Sequence, residues 1–384
     1  VRLVALDRVP EGATLARDVM SGLASGAPLM RAGIELTPAI AARAGASGVR
    51  ALWVNDSLGE GITPPEPLVA ELCAGSVRVI ERTYDAARLA FDRERELDAA
   101  VLRALAEIAD DLTTEVWAQT PAIVDDAPGD PRGFWHPLRV ATLGMSIGAE
   151  HLRTHGWLDY TNTPRFDQLD NRLMMLATGL LLHDVGKVAL PEKLRNRTHA
   201  LSAAEQLQFN DHTVVGTKIV PSGFVAPLVR TVIHSHHERW DGTGYPDAKA
   251  ANEIHPFARI AAVADAFDAI TCERPYRRAL GRASAVATIE QGAGAQFDPE
   301  VVAIFSALVL PYPLGHEVAL CDGRHGVVAA VDAGDRLRPL LRLPLPGGGF
   351  EEATVDLSEQ FAASAAPAVA AAGELPRAHA VLAG

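Results

Sequence analysis

Ten consecutive residues, Leu173 to Leu182 (LMMLATGLLL), carry no charge, and the run stops at His183-Asp184. A helix this apolar is buried, so its last turn takes an imidazole and a carboxylate into the interior. Burying an ionised carboxylate is costly unless something positive sits against it. A metal cation meets that need, and an Asp can use its two oxygens to bridge two cations. The run is far short of the roughly 18 residues that span a bilayer. The start of the chain (VRLVALDRVPEG) carries Asp7 and Glu11 and lacks the cationic start and apolar core of a signal peptide. The chain reads as soluble and cytoplasmic, with no membrane partner.

Its 384 residues suggest two or three folding units, at one domain per roughly 150 residues. Hydrophobic residues at 48% and charged residues at 22% exclude disorder as the main description. A net charge of −13 argues against broad nucleic-acid coating, but a discrete anion can still bind where cations cluster. Cys73, Cys272 and Cys321 form no CxxC pair and suit reduced thiols.

Residues 1–62 read as a small α/β module of short strands and turns, with one helix near 37–45, closed by the Pro-rich ITPPEP. Over 67–125, apolar residues recur at helical spacing among charges. They predict a helical connector that packs on the next domain, with pairing to a second copy as the weaker reading. Residues 126–311 read as mainly helical, with helices over 137–153, 171–187, 202–219, 225–236, 256–272 and 282–293. Residues 312–360 turn β-rich, and the Ala-rich tail 361–384 reads as partly disordered.

Several polar residues fall inside these apolar stretches: His136, His212, the adjacent His236 and His237, and Asp265 in ARIAAVADAFDAI. Taken alone, His136 reads as a hydrogen-bonded core histidine and Asp265 as half of a salt bridge. Two adjacent histidines face different directions, and packing accounts poorly for both. Imidazole and carboxylate together suit Fe, Mn or Zn, and the lack of cysteine ligands disfavours a structural zinc site. The set is more than one ion needs, which favours two divalent transition-metal ions. The remaining histidines, His151 and His155 among them, read as surface or packing residues, with His234 the foremost exception.

At these residues the sequence resembles the HD-GYP family, a branch of the HD-domain metal-dependent phosphohydrolases. HDVGK (183–187), HHERWDGTGYP (236–246) and ARIAAVADAFDAITCERPYR (258–277) carry the resemblance, with His212 and Gly216 between them. It implies an HD-type helical bundle around a metal centre that hydrolyses cyclic di-GMP to pGpG or onward to GMP. By position it implies that His136, His183, Asp184 and Asp265 hold one ion, iron or manganese. Asp184, His212, His236 and His237 would hold its neighbour, with Asp184 bridging. It places Lys187 at the scissile phosphate, Arg274 and Arg277 on ligand phosphate, and Tyr245 at the mouth of the site. Members with three metals carry a Glu where this chain has Arg132. A cation cannot ligate a metal, so two ions are expected here.

Chemistry adds the expected roles. A hydroxide shared by two ions would attack phosphorus in line, with Asp184 central to the centre and Lys187 neutralising charge on the leaving oxygen. Glu238 and Asp241 are candidates to orient a ligand histidine. Asp268, one turn after Asp265, would contact a guanine edge or orient a neighbour. Two rivals stand beside a cyclic di-GMP phosphodiesterase: an HD phosphohydrolase for another nucleotide, and a non-catalytic cyclic di-GMP-binding module that signals to protein partners.

Overall fold

The computed structural model describes residues 1–20, 28–66, 68, 70–118, 133–195, 201–272, 280–332 and 334–364. The Ala-rich tail beyond 364 lies outside the described residues, as do Arg132, Arg274 and Arg277.

The first module contains β1 (Arg2–Ala5), β2 (Thr14–Leu15), β3 (Val19–Met20), β4 (Pro28–Met30), α1 (Pro38–Ala46) and β5 (Ala51–Asn55). β5 lies between β1 and β2, antiparallel to both. Thr37 caps α1, its hydroxyl accepting from Ile40 N, and Pro38 fits the first turn because its missing N–H would be unpaired there anyway. Val4, Leu15, Leu52 and Val54 form a small core separate from the main one.

The connector is a pair of long helices, α2 (Ala70–Asp92) and α3 (Ala99–Ala118). On α3 the buried residues Leu102, Leu105, Ile108, Ala109, Leu112 and Val116 recur every three or four positions, the stripe of an amphipathic helix. That stripe joins the main core alongside Leu176 and Leu180, so the connector is part of the domain it precedes.

The central helices are α4 (Trp135–His155), α5 (Leu169–Leu182), α6 (Glu192–Arg195), α7 (Ala203–Asn210), α8 (His212–Ile219), α9 (Pro227–Ser235), α10 (Pro256–Thr271), α11 (Arg282–Gln291) and α12 (Pro299–Leu308). A short hairpin, β6 (Trp157–Leu158) with β7 (Pro164–Arg165), joins α4 to α5. Two expectations are corrected here. The helix predicted over 171–187 ends at Leu182 and gives way to a 3₁₀ turn over Val185–Ala189. The helix predicted over 202–219 is two, separated at Asp211. α12 is an element the apolar pattern did not reveal.

Helix α10 starts at His255, whose Nδ1 accepts from Phe257 N at 3.1 Å. Burial, then the nearby Arg259, Arg172 and His151, pushes its pKa down to about 4. The unfolded value is near 6.5, so protonation favours the unfolded chain and removes the cap acceptor. This contribution to stability is complete above pH 6.5 and declines as pH falls from there toward 4. In urea titrations the stability advantage of the native protein over His255→Asn should therefore shrink between pH 7 and pH 5, since asparagine caps without titrating.

The C-terminal strands β8 (Glu317–Ala319), β9 (His325–Asp332), β10 (Asp335–Pro344) and β11 (Phe350–Thr354) form an antiparallel sheet ordered β11-β10-β9-β8. This sheet docks on the first module: Leu3 N donates to Gly315 O at 2.8 Å. Arg2 pairs with Glu317 at 2.5 Å, and Arg342 reaches Leu58 O. The architecture is mainly α, with a small α/β module before the helical domain in sequence and a small β-rich segment after it.

Candidate metal centre

Five helices converge on one point. α4 brings His136, the residues just after α5 bring His183 and Asp184, α8 opens with His212, and α9 leads directly into His236-His237. α10 supplies Asp265. The 3₁₀ turn after Asp184 is forced by proximity. A Cβ on Gly186 would stand 1.9 Å from His212 O and 2.6 Å from Gly216 N, so backbone crosses backbone with no room for a side chain. Gly186 and Gly216 thus let the HD turn and α8 touch, which places His212 beside Asp184.

The carboxylate of Asp184 faces two ways. Its Oδ2 lies 3.3 Å from His136 Nε2 and 3.5 Å from His183 Nε2, while Oδ1 lies 3.4 Å from His212 Nε2 and 3.8 Å from His236 Nε2. Asp265 Oδ1 lies 3.3 Å from His136 Nε2. Two ligand groups result, His136–His183–Asp265 and Asp184–His212–His236–His237, with the ligand atoms of each within 4.8 Å of one another.

Backbone carbonyls orient three of the imidazoles. His183 Nδ1 donates to Leu180 O at 2.7 Å, His212 Nδ1 to Phe209 O at 2.6 Å, and His236 Nδ1 to Ile233 O at 3.0 Å. Each Nε2 is left as a lone pair turned toward Asp184, the outer hydrogen-bonding that metal-bound histidines use. His212 Nε2 and His236 Nε2 face each other at 3.4 Å. Burial lowers both pKa values, that of His212 to about 3. Two neutral imidazoles opposing their lone pairs repel unless a cation lies between them. Among the described residues, His183 Nε2, Asp184 Oδ1 and His237 Nε2 are buried with no hydrogen-bond partner. Buried polar atoms are rarely left so, and these are donor atoms for a divalent cation. The residues fit a metal.

Burial alone would raise the carboxyls of Asp184 and Asp265. Lys187 and the imidazoles around Asp184, and His136, His183 and His237 around Asp265, outweigh it and hold both well below the usual range. For His136 burial opposes the charged form, but Asp184, Asp265 and Asp268 overcome it and push the pKa up to about 10. A cation bound here would take the place of that proton.

The other expected residues divide. Lys187 forms an ion pair with Asp184 Oδ2 and lies over the Phe209 ring. Tyr245 stacks at 4.8 Å on His237, at the edge of the cluster. Asp268 is corrected as a ligand contact: it is buried, accepting from His136 Nδ1 at 2.6 Å and from Arg139 Nε at 2.5 Å. Both oxygens are occupied, so it orients His136. Glu238 and Asp241 are corrected as partners of ligand histidines. Glu238 accepts from Asp247 N and Lys249 N. Asp241 accepts from the Thr243 backbone and hydroxyl and pairs with Arg239. Both hold the loop that carries Tyr245. His234 stands apart, paired with Asp247. Arg139 went unrecognised in the sequence, and its signal was a lone cation inside an apolar helix, one turn after His136.

The HD-domain family matches residues 159–301. The chain carries an HD domain. Its GYP tripeptide, Gly244-Tyr245-Pro246, brings Tyr245 to the cluster edge, as the resemblance to the HD-GYP branch implies. A cyclic di-GMP phosphodiesterase of Pseudomonas aeruginosa is 38% identical over 164 residues, 42% of this chain and 39% of that protein. A cyclic di-GMP phosphodiesterase of Thermotoga maritima is 31% identical over 160 residues, 41% of this chain and 44% of its own. A 3'3'-cGAMP-specific phosphodiesterase of Vibrio cholerae is 34% identical over 128 residues, 33% of this chain and 28% of that one. The HD-domain chain thus spans less than half the length of each of these relatives. No helix among its described residues is long and apolar enough to cross a membrane.

Proposed function

We propose that this HD-GYP chain is a metal-dependent phosphodiesterase that hydrolyses cyclic di-GMP to pGpG, with onward cleavage to GMP the lesser product. One observation carries the reading: the two oxygens of Asp184 face two separate groups of imidazole and carboxylate ligands. His136, His183, Asp184 and Asp265 would hold one ion, and Asp184, His212, His236 and His237 the other. The nitrogen and oxygen donors suit iron or manganese. When bound, such a pair neutralises an anionic phosphodiester and readies a water for attack.

The chain's own residues do the rest. Lys187 keeps a positive charge at the rim of the cluster, where it meets the leaving oxygen as that oxygen gains charge. Asp268, itself fixed by Arg139, holds His136 by its Nδ1 so that Nε2 points inward. Tyr245 walls the mouth beside His237. Arg274 and Arg277 keep their role on ligand phosphate, where guanidinium forks suit phosphate oxygens. Arg132 offers no ligand for a third ion. A cytoplasmic location suits the three reduced thiols, and homodimerisation through the connector and contacts with signalling proteins complete the reading.

The likeness to a cGAMP-specific relative supports one alternative, hydrolysis of a mixed cyclic dinucleotide. Metal analysis of anaerobically purified protein, with turnover measured on cyclic di-GMP and on 3'3'-cGAMP, separates the readings. About two Fe or Mn per chain and faster cleavage of cyclic di-GMP are expected. Equal or faster cleavage of the mixed dinucleotide would move the specificity to the alternative. Binding of cyclic di-GMP by metal-loaded protein without cleavage would reject the enzyme reading.

A further inference from the structure

A second set of ligand-type side chains meets where the end of α4 approaches the start of α12, outside the two groups that share Asp184. His151 and His155 are one helical turn apart on α4, and positions so spaced share a face. Their ring centroids lie 5.0 Å apart with planes inclined by 34°. Glu300 stands in the first turn of α12, its Oε1 2.8 Å from His155 Nε2. One ligand atom from each of the three lies within 4.8 Å of the others.

An ordinary surface ion pair accounts for His155 and Glu300 but not for His151. The latter sits deeper, and its Nδ1 is buried without a hydrogen-bond partner among the described residues. Burial, with His155 beside it, lowers its pKa. That lowering favours the neutral ring, the form that binds metal. His155 and Glu300 have side chains 41% and 48% exposed, which leaves an open approach for an ion. A cation is also favoured where α4 ends, because the last carbonyls of a helix carry partial negative charge.

We propose that His151, His155 and Glu300 form a second, solvent-facing site that takes one Zn²⁺, with water filling the remaining position. Two imidazoles, a carboxylate and a water are an established zinc coordination. The ion would clip the start of α12 to the end of α4, the helix whose opposite end carries His136. This inference stands apart from the phosphodiesterase reading and draws on none of its residues.

Equilibrium dialysis of the full chain against Zn²⁺ tests it, with native protein, His155→Ala and Glu300→Gln side by side. Each variant should bind one Zn²⁺ fewer per chain than native protein. Each should also lose part of the zinc-induced rise in unfolding temperature, because a ligand of the folded state stabilises it. Hydrolysis of cyclic di-GMP by Mn²⁺-loaded protein should match native in both variants. Equal zinc stoichiometry in all three proteins overturns the proposal. So does loss of more than one ion together with loss of hydrolysis, because the side chains would then be acting on the principal centre.

Discussion

Asp184→Ala should empty both ion positions at once and lower hydrolysis of cyclic di-GMP by at least about a thousandfold. Metal ions stabilise a transferring phosphoryl group by several kcal/mol, and each 1.4 kcal/mol or so is a factor of ten in rate. The breadth of the effect comes from geometry. Oδ2 of this carboxylate serves His136 and His183, and Oδ1 serves His212 and His236. Asp265 faces His136 and His183 most closely, so Asp265→Ala should deplete that group and leave ion at the other. Metal content per chain, measured on both variants beside circular dichroism, checks the contrast. Native metal content and native rates in folded Asp184→Ala protein would refute the site.

Gly186→Ala should cause the second large loss. The added methyl carbon would lie 1.9 Å from His212 O and 2.6 Å from Gly216 N, and neither obstacle is a side chain that can rotate away. The HD turn and α8 must separate, which draws His212 off Asp184. Overpacking of this kind costs typically about 1–3 kcal/mol and occasionally more. A lower midpoint of urea unfolding is expected, together with loss of metal from the His212 group. Unchanged stability and metal content would show that the two segments do not cross as described.

The polar residues that meet around Asp184, and their helices, were legible because each interrupts an apolar stretch, as His183-Asp184 does after Leu173–Leu182. The end of α5 was not. Val185 and Val188 prolong the apolar spacing, while the close crossing at Gly186 that ends the helix is a tertiary event. The break at Asp211 was hidden for a similar reason, since helical residues flank it on both sides and only the fold requires His212 to begin a new helix. Asp268 was visible as a carboxylate one turn from Asp265. Its engagement by Arg139 was not, because that pairing joins residues from α4 and α10. Glu238 and Asp241 closely follow His236 and His237, and proximity in sequence suggested partnership. Their oxygens instead accept from backbone amides nearby, the usual habit of carboxylates in tight turns.

The contact between the first module and the last sheet links segments at opposite ends of the sequence. Glu317 is largely shielded and pairs with both Arg2 and Arg8 of the first module, so separating the two segments strips it of both partners, while Arg2 keeps Asp56. Melting of either segment therefore weakens the other, and amide-exchange protection in strands β1 and β8 should decay in concert. A stimulus that loosens the leading module would in this way be felt in the sheet that follows the helical domain in sequence, without passing through the interior of those helices.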